Sequence, residues 1–121
     1  MHGYIDDSLV PRIQDVYIVG KTKLIPIEPV LDTGFNDEFT LPRHLFNECE
    51  FEFFGKEKYI LANGDLIEED VYLGELIIDN KRINVFVSLT NDVDALIGTR
   101  LLDNTITVLD FKNYNINVQA W

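Results

Sequence analysis

Apolar and polar residues alternate in short runs along most of the chain, and Gly, Asn, Asp and Pro separate the runs. A period of two puts every second side chain on one face, which marks half-buried strands. Val16 to Val19 reads as a strand that turns at Gly20-Lys21, after which Lys23 to Leu31 is extended again. Pro26 and Pro29 cannot donate to a ladder, so this second stretch is irregular or partly at an edge. Phe39 and Leu41 share one side of the next run, and Pro42 suits the first turn of a short helix with Leu45 and Phe46 on its apolar face. Cys49 to Phe53 alternates strictly and turns at Gly55-Lys56. Tyr59-Ile60-Leu61 and Leu66-Ile67 flank Ala62-Asn63-Gly64-Asp65, a hairpin whose Asn-Gly suits a type I′ turn because both residues tolerate positive φ. Val71 to Ile78 is a separate extended stretch, bent at Gly74, and Asp79-Asn80-Lys81 turns it into the alternating Ile83, Val85, Val87 and Leu89. Ala95-Leu96-Ile97-Gly98 is a continuous apolar run of the buried-strand kind, and Thr99 to Asp103 gives one or two helical turns. Thr105 to Phe111 and Ile116 to Val118 close the chain as strands, while Met1 to Leu9 is only weakly patterned. Together these elements predict an all-β sandwich or barrel with one or two short helices.

Composition narrows the class. At 121 residues the chain is one domain, and 46% hydrophobic residues suffice for one core. The formal charge of −11 argues against nucleic acid or an anionic membrane as partner. Cys49 stands alone, so no internal disulfide forms, and a small buried thiol in a reducing compartment is the simplest expectation. No apolar run is long enough to span a bilayer and Met1-His2-Gly3 begins no signal peptide, so the expected location is cytoplasmic.

The same inventory excludes most chemistries. His2, His44 and Cys49 are too few for a structural zinc site, so neither metal nor cofactor is expected. No Gly-rich phosphate loop is present, and neither Ser8 nor Ser88 sits in a nucleophile elbow. His44 and Cys49 are close in sequence, but a core Cys and a surface His explain them more simply. Carboxylates remain, and most, such as Glu48, Glu50, Glu52, Glu68, Glu69 and Asp70, occupy solvated strand and loop positions.

Asp32 is different, because it ends the apolar run Val30-Leu31 and is followed at once by Thr33-Gly34. Asp is a poor strand residue and a buried carboxylate is costly. It is either a turn former, the simpler possibility on local sequence, or a group held for chemistry. Val30-Leu31-Asp32-Thr33-Gly34-Phe35 resembles the active-site motif of the retropepsin-like (clan AA) aspartic proteases. Leu96-Ile97-Gly98 followed by Thr99-Arg100-Leu101-Leu102 resembles their second signature, two hydrophobics and a Gly before a short helix. Between them the Asn63-Gly64 hairpin lies where such proteins carry their flap. Asp32 to Asn36 with Phe39-Thr40-Leu41-Pro42, the opening Gly3-Tyr4-Ile5-Asp6 with Pro11, and Leu61-Ala62-Asn63-Gly64 are similar to a small prokaryotic single-domain group of these enzymes. Phe35 departs from the Ala or Ser of the viral members.

The resemblance implies a closed retropepsin-like β-barrel over residues 1–121 and an aspartic endopeptidase acting on peptides or proteins. It implies Asp32 as catalytic acid and base, and Thr33 hydrogen-bonded to its twin across a dyad axis. Gly34 would donate its N–H toward the carboxylate. Ala62, Asn63 and Gly64 would form the substrate-covering flap, with Leu96, Ile97 and Gly98 as support beneath the catalytic loop. Only one Asp-Thr-Gly is present, so the second carboxylate would come from another copy in a homodimer. Asp94 reads as a turn residue. Two other functions stay open: a non-catalytic dimerisation or peptide-binding module of the same fold, and a β-domain subunit in which Asp32 only turns the chain.

Overall fold

The computed structural model describes every residue from Met1 to Trp121. Twelve strands are present: β1 (His2–Ile5), β2 (Pro11–Ile13), β3 (Val16–Val19), β4 (Leu24–Ile27), β5 (Val30–Leu31), β6 (Phe39–Pro42), β7 (Glu52–Ile60), β8 (Leu66–Ile78), β9 (Lys81–Thr90), β10 (Leu96–Ile97), β11 (Ile106–Asp110) and β12 (Asn115–Gln119). Two 3₁₀ helices, Arg43–Glu48 and Thr99–Leu102, complete the chain. No helix is long and apolar enough to cross a membrane. The strands form one sheet in the order β11-β12-β1-β2-β5-β10-β6-β9-β8-β3-β4, with β7 added to β8.

Alternation explains the core. Val16 and Ile18 of β3, Val85 and Val87 of β9, and Ile116 and Val118 of β12 are buried, and polar or exposed residues stand between them. Each such side chain contributes about 1.5–3 kcal/mol on burial. Residues near both ends of the hydrogen-bonded path, Ile116 and Val118 at one and Ile18 and Ile25 at the other, join a single core cluster. The sheet therefore curls around one interior. β4, with Pro26, lies at an end of the path, where a residue without an N–H is tolerated.

Several local expectations are corrected. The weakly patterned start is strand β1, packed so closely that a Cβ on Gly3 would lie 1.9 Å from the Arg12 carbonyl oxygen. The strand expected from Cys49 begins only at Glu52, and Gly55-Lys56 is not a turn: β7 runs through it, with a bulge between Phe53 and Gly55. Leu66-Ile67 and Val71–Ile78 are one continuous strand, and Gly74 does not bend it out of pairing. Instead Gly74 makes room for Phe51, whose ring would lie 2.7 Å from an added Cβ. The type I′ geometry occurs at Asp79-Asn80, both at positive φ (49° and 65°) between the paired Ile78 and Lys81. At the Asn63-Gly64 hairpin only Gly64 has positive φ (88°). There Gly64 N–H donates to Leu61 O (2.9 Å) and Leu61 N–H to Asp65 O (2.8 Å), a three-residue loop closed by a glycine in the left-handed region.

Candidate active site

β5 is short because its sequence stops it. Val30 pairs with Arg12 of β2 on one side, and Val30 and Leu31 pair in parallel with Leu96 and Ile97 of β10 on the other. β10 in turn pairs antiparallel with β6, so it lies between two strands that follow one another in the chain. The Asp32 N–H makes the last bond of this ladder, to Ile97 O (3.0 Å). The chain then turns: Phe35 N–H donates to Asp32 O (3.2 Å), and Gly34 N–H donates to the Asp32 carboxylate at Oδ1 (2.8 Å). A Cβ on Gly34 would stand 3.2 Å from that same oxygen, so a side chain here crowds the carboxylate. Asp32 is half-buried, while Thr33 and Gly34 are exposed. The carboxylate is thus fixed from one side by backbone and is open on the other.

The second signature lies directly against this turn. Gly98 N–H donates to Glu38 O (3.0 Å), Thr99 N–H to Phe35 O (2.8 Å) and Arg100 N–H to Asp37 O (3.3 Å). A Cβ on Gly98 would be 2.0 Å from Asp37 O and 2.7 Å from the Phe35 ring. No side chain fits between these backbones, which is the physical reason for glycine at this position. The bulky Phe35 ring, half-buried, packs onto Gly98. Leu96 is half-buried and Ile97 fully buried, so the three residues expected to support the loop do adjoin it.

One organising residue escaped the sequence. Arg12 on β2 donates through Nε to Asp6 Oδ2 (3.0 Å) and through Nη1 to Asp94 Oδ1 (2.9 Å) and Glu28 O (3.4 Å). It therefore ties together the β1–β2 loop, the approach to β5 and the approach to β10. Asp94 does more than turn the chain. The Val10 backbone N–H, and after it the Arg12 guanidinium, hold the Asp6 carboxyl below the usual carboxylate range. Arg12 donating to Asp94 is separated from it by 82 positions, and no spacing rule connects such residues.

β7 and β8 form a long arm ending at Ala62-Asn63-Gly64, all exposed. Asn63 closes the tip through its own side chain, bonding the Asp65 N–H (3.0 Å). The tip residues make no hydrogen bond to Asp32, Thr33 or Gly34. The arm meets the segment that follows the Asp32 turn lower down, where the Tyr59 hydroxyl on β7 bonds Asp37 Oδ2 (3.0 Å) and also contacts Glu57 Oε2. Burial, then the Glu57 and Asp37 carboxylates, push the Tyr59 phenol up from its usual range, so it stays a donor. Cys49 is buried with its thiol directed at Leu45 O (3.4 Å), and burial pushes it up to about 11. His44 is exposed, and no thiol–imidazole pair forms.

Three residues of ligand type meet elsewhere, with His2 Nε2 and Nδ1 each 3.0 Å from a carboxylate oxygen, of Asp15 and Asp79 respectively. Both ring nitrogens are engaged in this bridge, whereas a metal ion would need one of them bare.

No protein-family model matches the chain, and a search of curated proteins gives no match. Among solved structures, the chain is similar to a retropepsin-like aspartic protease from Rickettsia conorii. The likeness covers 97% of this chain and 89% of the other, with 16% identity and a TM-score of 0.61. The chain has the all-β, retropepsin-like fold.

Proposed function

We propose that this chain is an aspartic endopeptidase whose catalytic pair is Asp32 of one copy and Asp32 of a second, related by a twofold axis. The observation that carries the proposal is the seat of Asp32. Its carboxylate is fixed by the Gly34 N–H at 2.8 Å, at the exposed end of a strand locked to β10, in a chain of retropepsin-like fold. A carboxylate serving only a turn has no need of a Gly98 wedged against the Phe35 to Glu38 backbone behind it.

The chemistry follows from electrostatics. Two carboxylates about 3 Å apart cannot both ionise, so they share a proton. The ionised member takes a proton from a water as it attacks the peptide carbonyl, and the protonated member donates to the carbonyl oxygen. The pair titrates as a unit. Thr33, exposed beside Asp32, would bond its twin across the axis. The β7–β8 arm would cover the peptide and exclude water. In this reading the curled sheet is a closed barrel, supported by a core cluster that draws on strands near both ends of the path. The lone buried thiol of Cys49 suits a cytoplasmic setting.

Asp32→Asn is the direct test. Cleavage of a mixed peptide library should fall by at least about 10³-fold, while thermal unfolding and dimer mass stay as in wild type. Cleavage at the wild-type rate would refute the assignment.

A further inference from the structure

A cavity of ≈ 240 Å³ lies between the arm and the segment that follows the Asp32 turn. Its walls combine two chemistries. Phe39, Val71 and Phe86 are apolar, and Asp37, Glu38 and Glu57 are acidic. A second cavity of ≈ 130 Å³ also draws on Glu57, Val71 and Phe86 and adds Phe54. Phe54 and Phe86 pack in a tilted pair, ring centroids 4.8 Å apart and planes at 59°, and remain 64% and 43% exposed. Exposed rings beside carboxylates form a platform for a cation, through the ring faces as well as through ion pairing.

We infer that this cavity is a selectivity pocket for the peptide substrate and that it takes an arginine or lysine side chain. The inference rests on the peptidase proposal above and goes further by naming what the substrate carries. The aliphatic stem of such a side chain lies along Val71 and Phe86, and its charged head reaches Asp37 and Glu57. Those two carboxylates meet at one phenol, that of Tyr59, which has a single proton to give. A guanidinium or ammonium supplies the donors the phenol cannot. Glu38 is already occupied by the Phe86 N–H (2.7 Å) and contributes charge more than contact. Two basic residues of the chain itself line these cavities. Lys56 is paired with Asp70 (3.2 Å). Arg100 is in no ion pair, and three carboxylates outnumber it in its cavity. The formal charge of −11 draws basic peptides toward the protein as a whole, while the pocket decides where along the peptide the charge sits.

The experiment has two arms. Wild-type protein is given a mixed peptide library, and the cut products are sequenced. Arg and Lys should be enriched at one fixed distance from the scissile bond. The ratio of cleavage for an arginine peptide over its citrulline twin should be about tenfold or more and fall toward one in Asp37→Asn/Glu57→Gln, mainly through KM. In the second arm, N-acetyl-arginine amide and N-acetyl-citrulline amide are titrated onto Asp32→Asn protein and followed by amide NMR. The arginine probe alone should move the Glu57, Val71 and Phe86 resonances. Cleavage with no basic enrichment, or with enrichment unchanged in the double variant, overturns the pocket and leaves the peptidase standing. No cleavage, with shifts from the arginine probe alone, sinks the peptidase and supports the pocket. No cleavage and no difference between the probes overturns both.

Discussion

Two glycine-containing turns, one after Asp32 and one at the tip of the β7–β8 arm, obtain their shapes in opposite ways. The Asp32 turn is fixed from outside. Ile97 O holds its first N–H, and Phe35 O, Asp37 O and Glu38 O hold the segment around Gly98 that lies behind it. Its neighbours Leu31, Phe39 and Ile97 are at most 2% exposed. The tip of the arm is fixed from within, by Leu61, Asn63, Gly64 and Asp65 alone, and its flanking Ile60 and Leu66 are 76% and 68% exposed. A site that must place one oxygen gains from many distant ties, each restricting a different direction. An arm held by few ties is free to open and close, as the cover proposed above would need to.

Substitutions can break this contrast. The largest effect is expected at Gly98. In Gly98→Ala the new methyl must displace the Asp37 carbonyl, for about 3 kcal/mol or more, lowering the thermal midpoint by roughly 10 °C and abolishing any cleavage. If Gly98→Ala melts as wild type does, the turn is not held as described. Arg12→Met comes next, with a smaller drop in thermal midpoint, since it leaves Asp6 and Asp94 without their shared cation. The pH dependence fixes its sign. The Asp6 carboxyl sits below the usual range when folded, so its contribution is present above the unfolded carboxylate value and lost as pH falls through the folded one. Arg12→Met should therefore begin acid unfolding at a higher pH than wild type, and circular dichroism across an acid titration would show any failure to do so.

The arm should respond less. Gly64→Ala places a side chain at φ 88° and should cost about 1 kcal/mol, confined to the tip, with amide exchange inside β6 and β10 unchanged. Tyr59→Phe removes the bond from the arm to Asp37 and should cost under about 1 kcal/mol globally while speeding exchange of β7 amides. Loss of protection that spread to β10 would mean the two regions are one cooperative unit and the contrast is wrong.

What could be read from the sequence follows the same division. Asp32-Thr33-Gly34 and Leu96-Ile97-Gly98 stood out through their resemblance to the two signatures of one family, since local sequence alone favoured a plain turn at Asp32, and the two segments do adjoin. The strand-rich architecture was legible from alternation. Arg12 was not, because its partners come from three separate loops and nothing local marks it. Gly55 and Gly74 were misplaced because glycine indicates turns in general, whereas here the chain bulges beside one and a phenyl ring fills the space over the other. The Asn63-Gly64 turn was assigned the mirror-image form because both residues tolerate it, yet Asn63 keeps negative φ and the loop is one residue longer. Tyr59 gave no signal, since its phenol matters only once the arm lies beside Asp37.

The parallel pairing of β5 with β10 has a consequence for biosynthesis. A ribosome releases residues in order, and Asp32 emerges long before the segment that seats it. Until Asp94 to Gly98 have left the exit tunnel, the acid has no ladder bond to Ile97 and no wedge behind it, so the nascent chain carries an unformed centre beside its own unfolded sequence. Contacts between residues this remote also form slowly, because a long loop must close before any of them stabilises it. The site is therefore assembled only when almost the whole chain is available to fold around it.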